Sequence, residues 1–167
     1  MFSNDKTLQH QLFYSHNFGH ETPTSFYGVG INGKISELQA AMGLAVFPYM
    51  DTIISERKKV VSYYDNHLDF SKLSKLKIRE NTEWNFSYYP IIFETEKRLL
   101  EVLQKMKEKN IFPRRYFYPS LNTIDYAKGL PMPISESIAS RILCLPLYVG
   151  LTLGEINLIC QLILSVE

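Results

Sequence analysis

The sequence predicts an α+β chain, within the broader α/β class: a long broken helix followed by a small C-terminal domain of antiparallel strands backed by helices. Three observations carry this. Apolar residues recur at three- and four-residue steps from Ser36 to Leu68, aromatic and β-branched runs at 83–94 and 111–121 read as strands, and three later stretches carry helical patterning. With 167 residues, 46% of them apolar and 21% charged, the chain has the size to build one domain with a real core. Its formal net charge of +1 offers no basic surplus for nucleic acid or an anionic membrane.

The long helix opens at Ser36, whose hydroxyl fits a capping box with the amide of Gln39 three residues on. Leu38, Met42, Ala45, Tyr49, Met50, Ile53, Val60, Tyr64 and Leu68 follow the helical period. Pro48 lacks an N–H and crowds the carbonyl four residues back. It therefore predicts a break near 46–47 and a second helix with Pro48 in its first turn, ending near His67. "EWNFSYYPIIFE" at 83–94 is strand-like, and Pro90 points to an edge position or a bulge. "TEKRLLEVLQKMKEKN" at 95–110 reads as a helix with Leu99, Leu100, Leu103 and Met106 inward and its charges on a solvated face. "IFPRRYFYPSL" at 111–121 reads as a second strand and "ISESIASRILCL" at 134–145 as a short helix. "TLGEINLICQLILSV" at 152–166 reads as a closing helix in which Thr152 and Glu155 repeat the capping-box spacing.

Ahead of the long helix, Gly28, Gly30 and Gly33 have the G-x-G-x-x-G spacing of a dinucleotide-binding loop. That motif needs a buried strand before the first glycine and a parallel strand after the helix, because the pyrophosphate sits on a helix N-terminus at a sheet edge. The preceding run "HNFGHETPTSFY" is polar and carries Pro23, and the first helix leads into another helix with Asp51 on it. The glycines are therefore expected to supply turn conformations closed to other residues. Asn32 stands just before the helix N-terminus, where its amide, the N–H groups of residues 33 to 37 and the charge of Lys34 face a possible anion.

Cys144 and Cys160 lie in apolar surroundings without a C-x-x-C pattern and read as buried free thiols. His16 and His20 stand four apart across the turn-like "NFGH", which argues against a shared helical face and so against a metal pair. The start is polar, without the apolar core of a signal peptide, and "ILCLPLYVGLTL" is cut by Pro146 and Gly150 well short of a bilayer span, so a cytoplasmic protein is expected.

"GINGKISELQAAMGL" resembles the G-x-N-x-[RK]-[ML]-[SN]-[ED]-x-x-A-A-x-G-L segment of the DegT/DnrJ/EryC1/StrS family of pyridoxal-phosphate-dependent sugar aminotransferases. "SHNFGH" (15–20), "PRRYFYPSL" (113–121) and "ILCLPLYVGLT" (142–152) resemble further stretches of that family, in the same order. The resemblance implies the C-terminal part of a fold-type-I aminotransferase, with 1–47 as the residual end of the large cofactor domain (strand remnant, turn, first helix). It implies 48–167 as the small α+β domain including the connecting helix. Members are about twice as long, and the part carrying the Schiff-base lysine has no counterpart here, so a fragment inactive alone is expected. Lys6, in a polar neighbourhood, is a surface residue.

By the same resemblance, Asn32, with Lys34 beside it, reaches the phosphate of pyridoxal phosphate held by the other subunit of a homodimer. Arg115, Tyr116 and Tyr118 line the mouth for a nucleotide-linked ketosugar, with glutamate as amino donor; a guanidinium pairs with a diphosphate and a phenol stacks on a sugar or base. Alternating tyrosines also serve plain packing, and Asn122 stands where many relatives have His, so both readings stay open at these positions. A non-catalytic α+β interaction or dimerisation module is the alternative reading of the whole chain.

Overall fold

The computed structural model describes residues 3–22, 24–116, 118–124 and 129–166. Pro23 and Phe117, which figured in the readings of the polar run and of the 111–121 strand, lie outside them. The chain divides into two compact units, Met1–Tyr49 and Met50–Glu167.

In the first unit, helix α1 (Lys6–Ser15) is capped by Asp5, whose carboxylate accepts from the Thr7 and Leu8 amides. A helix, not a strand remnant, is thus the first element among the described residues. Strands β1 (His20–Thr22) and β2 (Ser25–Phe26) form a short antiparallel ribbon. Helix α2 (Glu37–Val46) begins at the Ser36 capping box, with both reciprocal hydrogen bonds formed. It ends where expected, in a 3-10 turn at Phe47–Tyr49 that takes up Pro48.

The second unit opens with α3 (Met50–His67), two residues later than Pro48 implied, because the proline sits in the 3-10 turn. Its core is a three-stranded antiparallel sheet of β3 (Leu73–Lys75), β4 (Tyr89–Phe93) and β5 (Ile142–Leu145), in that order. Helices α4 (Glu96–Glu108), α5 (Pro133–Arg141) and α6 (Leu153–Leu164) complete the unit; α6 packs on α3 and α4, and α4 on α5 and β4. Along β4 the side chains alternate, Tyr89, Ile91 and Phe93 buried, while α4 sends in Leu99, Val102 and Met106 and α6 sends in Ile156, Ile159, Cys160 and Ile163. Tyr64 of α3 is fully buried and donates to the Pro146 carbonyl at 2.9 Å. Cys144 and Cys160 are buried free thiols, both pushed up to about 11 by burial.

Several expectations need correction. Pro90 lies in the central strand, not at an edge or a bulge. The Cys144 N–H and C=O both bond Arg114, so Pro90, opposite Cys144, turns its backbone toward β3, whose ladder stops at Lys75↔Ile91. The missing donor falls at the first position past that ladder. The 111–121 run is not a strand among the described residues; Arg114 alone bridges β5, between Pro113 and Pro119. The run 134–145 is a helix only to Arg141, and its β-branched and apolar end is β5. Leu100 is exposed and Val102 takes the inward place, because the helical stripe runs 99, 102, 106.

Candidate functional site

Asn32 sits in a loop without regular structure that backbone hydrogen bonds hold against the end of α1. The Ile31 amide donates to the Ser15 carbonyl (2.8 Å), Gly33 to His16 (2.8 Å) and Phe18 back to Ile31 (3.0 Å), with Asn17 bridging Asn32. The Asn32 side chain is exposed. Lys34 donates to Asn17 Oδ1 at 2.9 Å, and its ammonium lies 4.4 Å from the centroid of the Phe18 ring.

The glycines work otherwise than expected. Gly28, Gly30 and Gly33 do not have positive φ; Gly19 does, at 78°. Gly30 is required by close approach, since a methyl there would collide with the Gly19 amide nitrogen and the Phe18 carbonyl carbon, whereas Gly28 faces open space. Of the N–H groups at 33 to 37, Gly33 is taken by His16 and Ser36 by the Gln39 side chain at 2.9 Å. The Asn32 carboxamide is an exposed donor on this loop. His16 and His20 each spend Nδ1 on a backbone carbonyl, of Leu12 and Thr22.

In the second unit, the three tyrosine-run residues are brought together unequally. Arg115 is 17% exposed in its side chain and committed: Nη2 pairs with Glu96 Oε1 at 2.7 Å and donates to the Ser140 carbonyl at 2.9 Å. Its guanidinium carbon lies 3.5 Å from the Tyr118 ring centroid, so Arg115 and Tyr118 form one stack whose tyrosine is half exposed. Tyr116 faces the other way in chemistry, accepting from Arg114 Nη1 at 2.7 Å and meeting the Tyr88 ring edge-on at 4.8 Å. Hydrogen bonding with Tyr88, then with Arg114, holds the Tyr116 phenol below its ordinary value and Tyr88 above. Arg114 and Tyr88 belong to this cluster and were not singled out from sequence; a two-residue spacing from Arg114 to Tyr116 on extended chain was the available signal. Asn122 is structural: it accepts from Ser120 Oγ and donates to Leu130 O and Glu136 Oε1.

Every described lysine is exposed except Lys105, half-buried and donating to the Ser165 carbonyl and hydroxyl. Among the described residues, the exposed Asn32 carboxamide is a donor of the kind that would meet a phosphate, and no lysine is fully buried. Among them there is also no cluster of three metal-ligating side chains, and no helix is long and apolar enough to cross a membrane.

The fold is that of solved aminotransferases. An enzyme of the DegT/DnrJ/EryC1/StrS type from Brucella abortus superposes with a TM-score of 0.85 at 23% identity, over 98% of this chain and 44% of that one. The chain belongs to the DegT/DnrJ/EryC1/StrS aminotransferase family, whose model matches residues 1–164, and the family uses pyridoxal phosphate. Among curated relatives, dTDP-4-amino-4,6-dideoxy-D-glucose transaminase of Escherichia coli is 33% identical over 89% of this chain and 43% of its own length. The enzyme of the same name from Shigella dysenteriae is 31% identical over 98% of this chain and 47% of its own. The chain thus spans less than half the length of the curated relatives that it matches.

Proposed function

We propose that the chain is the C-terminal part of an aminotransferase acting on a ketosugar linked to a nucleoside diphosphate, in cytoplasmic amino-deoxysugar synthesis for surface polysaccharide. The observation that supports this best is the Asn32 loop, a neutral donor held by three backbone hydrogen bonds inside a segment that belongs to the family. The names of the two transaminase relatives support a dTDP-type sugar as the substrate class. Bound pyridoxal phosphate would supply the relay that takes an amino group from glutamate and passes it to the keto carbon.

In this reading Asn32 donates to the cofactor phosphate held by the other subunit of a homodimer. Tyr118, stacked on Arg115, presents a ring face at the substrate mouth, and Arg115 holds that ring through Glu96 and Ser140 instead of pairing directly with a diphosphate. Arg114 and Tyr116 offer a cationic and a phenolic donor nearby in sequence. The domain division at 47/48 belongs to the same reading, with 1–47 completing the cofactor-binding part.

The test is incubation with pyridoxal phosphate, borohydride trapping and peptide mapping. We expect no lysine of this chain to be trapped alone, and trapping on the complementary part when that part is supplied. A trapped lysine within this chain would overturn the fragment reading. A second reading, a non-catalytic interaction module, is favoured by one observation, that no residue of α2 is buried. Co-expression separates them, since only the first regains turnover.

A further inference from the structure

We propose that Lys34 is a positioning residue: its ammonium clamps Asn17 and Phe18 and thereby fixes the backbone that carries Asn32, instead of facing the phosphate itself. This rests on the reading of Asn32 as the phosphate-facing group.

The loop has little else to hold it. Val29, Ile31 and Ile35 are all exposed, so packing does not order residues 28–35 within this unit. What orders them is the seam to Ser15–Phe18, and that seam contains a strained residue. Phe18 has φ 58°, a region that a bulky side chain enters only where its surroundings over-determine it. Three contacts do so here. The Phe18 amide donates to Ile31 O, the Gly19 and Gly30 backbones meet at a distance that excludes any Cβ, and Lys34 covers the Phe18 ring.

The same ammonium donates to Asn17 Oδ1 at 2.9 Å, and Asn17 is the residue bridged to Asn32. One side chain, two residues beyond Asn32, thus ties both residues on the opposite side of the seam. Among the described residues Lys34 forms no ion pair with a carboxylate, so its charge is spent on a carboxamide oxygen and a ring face. Such contacts are directional for a lysine reaching across a seam, and an arginine can make both.

The experiment is amide hydrogen exchange by NMR on the chain itself, with Lys34→Met, Lys34→Arg and Asn32→Ala, each also titrated with inorganic phosphate. In K34M the amides of Phe18, Ile31 and Gly33 should exchange about tenfold faster, with α1 and the second unit unchanged. K34R should restore the wild-type rates, and N32A should keep them. Phosphate should shift the Asn32 side-chain amide in the wild type and in K34R, and less in K34M.

Three outcomes overturn the clamp: unchanged seam protection in K34M, loss of protection throughout α1 as well, or loss of the phosphate response in K34M with the seam intact. Absence of any phosphate response in the wild type, with the exchange pattern as expected, instead refutes the reading of Asn32 and leaves the clamp standing.

Discussion

Gly28 and Gly30 stand two residues apart in one loop and should answer a methyl group differently. At Gly30 the added carbon meets backbone of Phe18 and Gly19, which cannot rotate away; at Gly28 it meets nothing within 4 Å. Gly30→Ala should destabilise the first unit by about 1–3 kcal/mol, as overpacking does. Gly28→Ala should stay within about 0.5 kcal/mol. Exchange rates of the Ile31 and Gly33 amides check both. The spacing of the glycines was legible in the sequence. The reason for Gly30 was not, because its partner is Gly19, across a seam that no local pattern announces. Arg115 was legible as a cation beside aromatics, but its commitment to Glu96 and Ser140 depends on tertiary placement. On the proposed reading, Asn32 makes its own prediction once the chain is supplied with a cofactor-binding part. Asn32→Asp sets a carboxylate against the phosphate and Asn32→Ala only removes a donor, so the aspartate variant should retain pyridoxal phosphate more weakly. Equal retention, read from cofactor absorbance after gel filtration, would refute the phosphate contact.

The two capping-box starts were the most legible features, because a capping box is a local hydrogen-bond pair that needs no tertiary help, whereas α1, capped by Asp5 alone, was not read as a helix. Ser36 with Gln39 and Thr152 with Glu155 both close as the spacing implies. Strands were less legible: β5 is four residues long at the end of a helix, and Pro90 hides a central strand behind an edge signature. The α6 cap carries a pH prediction. Hydrogen bonds from the Thr152 hydroxyl and then its amide hold Glu155 below the ordinary carboxylate range. The folded form therefore binds that proton less readily than the unfolded one. The stabilisation is complete above the ordinary glutamate value, about 4.3, and is lost as pH falls through it toward the lower folded value. Glu136, bonded by the Met132 amide and Asn122, acts with the same sign. Thr152→Ala should cost about 1 kcal/mol at pH 7 and flatten the acid limb, checked by urea midpoints between pH 7 and 3. An unchanged acid limb would mean that the box does not set the Glu155 proton affinity.

At the scale of the whole molecule, the two units differ in how they bury apolar surface. The second has a continuous core with Tyr64, Ile91, Phe93, Leu99, Met106 and Ile163 fully buried. In the first, α2 buries no residue although its sequence, ELQAAMGLAV, is apolar nearly all round. A helix that is hydrophobic all round is ordinarily a buried one. Leu38, Met42 and Leu44 are 78%, 62% and 76% exposed, and Phe47 in the following turn is equally bare. The helical period was legible through all these positions, yet only from Val60 onward does it point into a core, because periodicity reports a face and not what covers it. An unpaired surface of this kind drives self-association. The chain alone should therefore bind an apolar-sensitive dye and elute as concentration-dependent oligomers in gel filtration with light scattering. Leu38→Lys with Met42→Glu should remove most of the dye signal and shift elution toward monomer. Stability of the second unit should not change, since its core contains neither residue. If the complementary part of the parent is the natural cover, adding it should suppress the dye signal of the unmodified chain and should fail to do so for the double variant. A monomer with no dye response at high concentration would show that α2 is already covered within the chain.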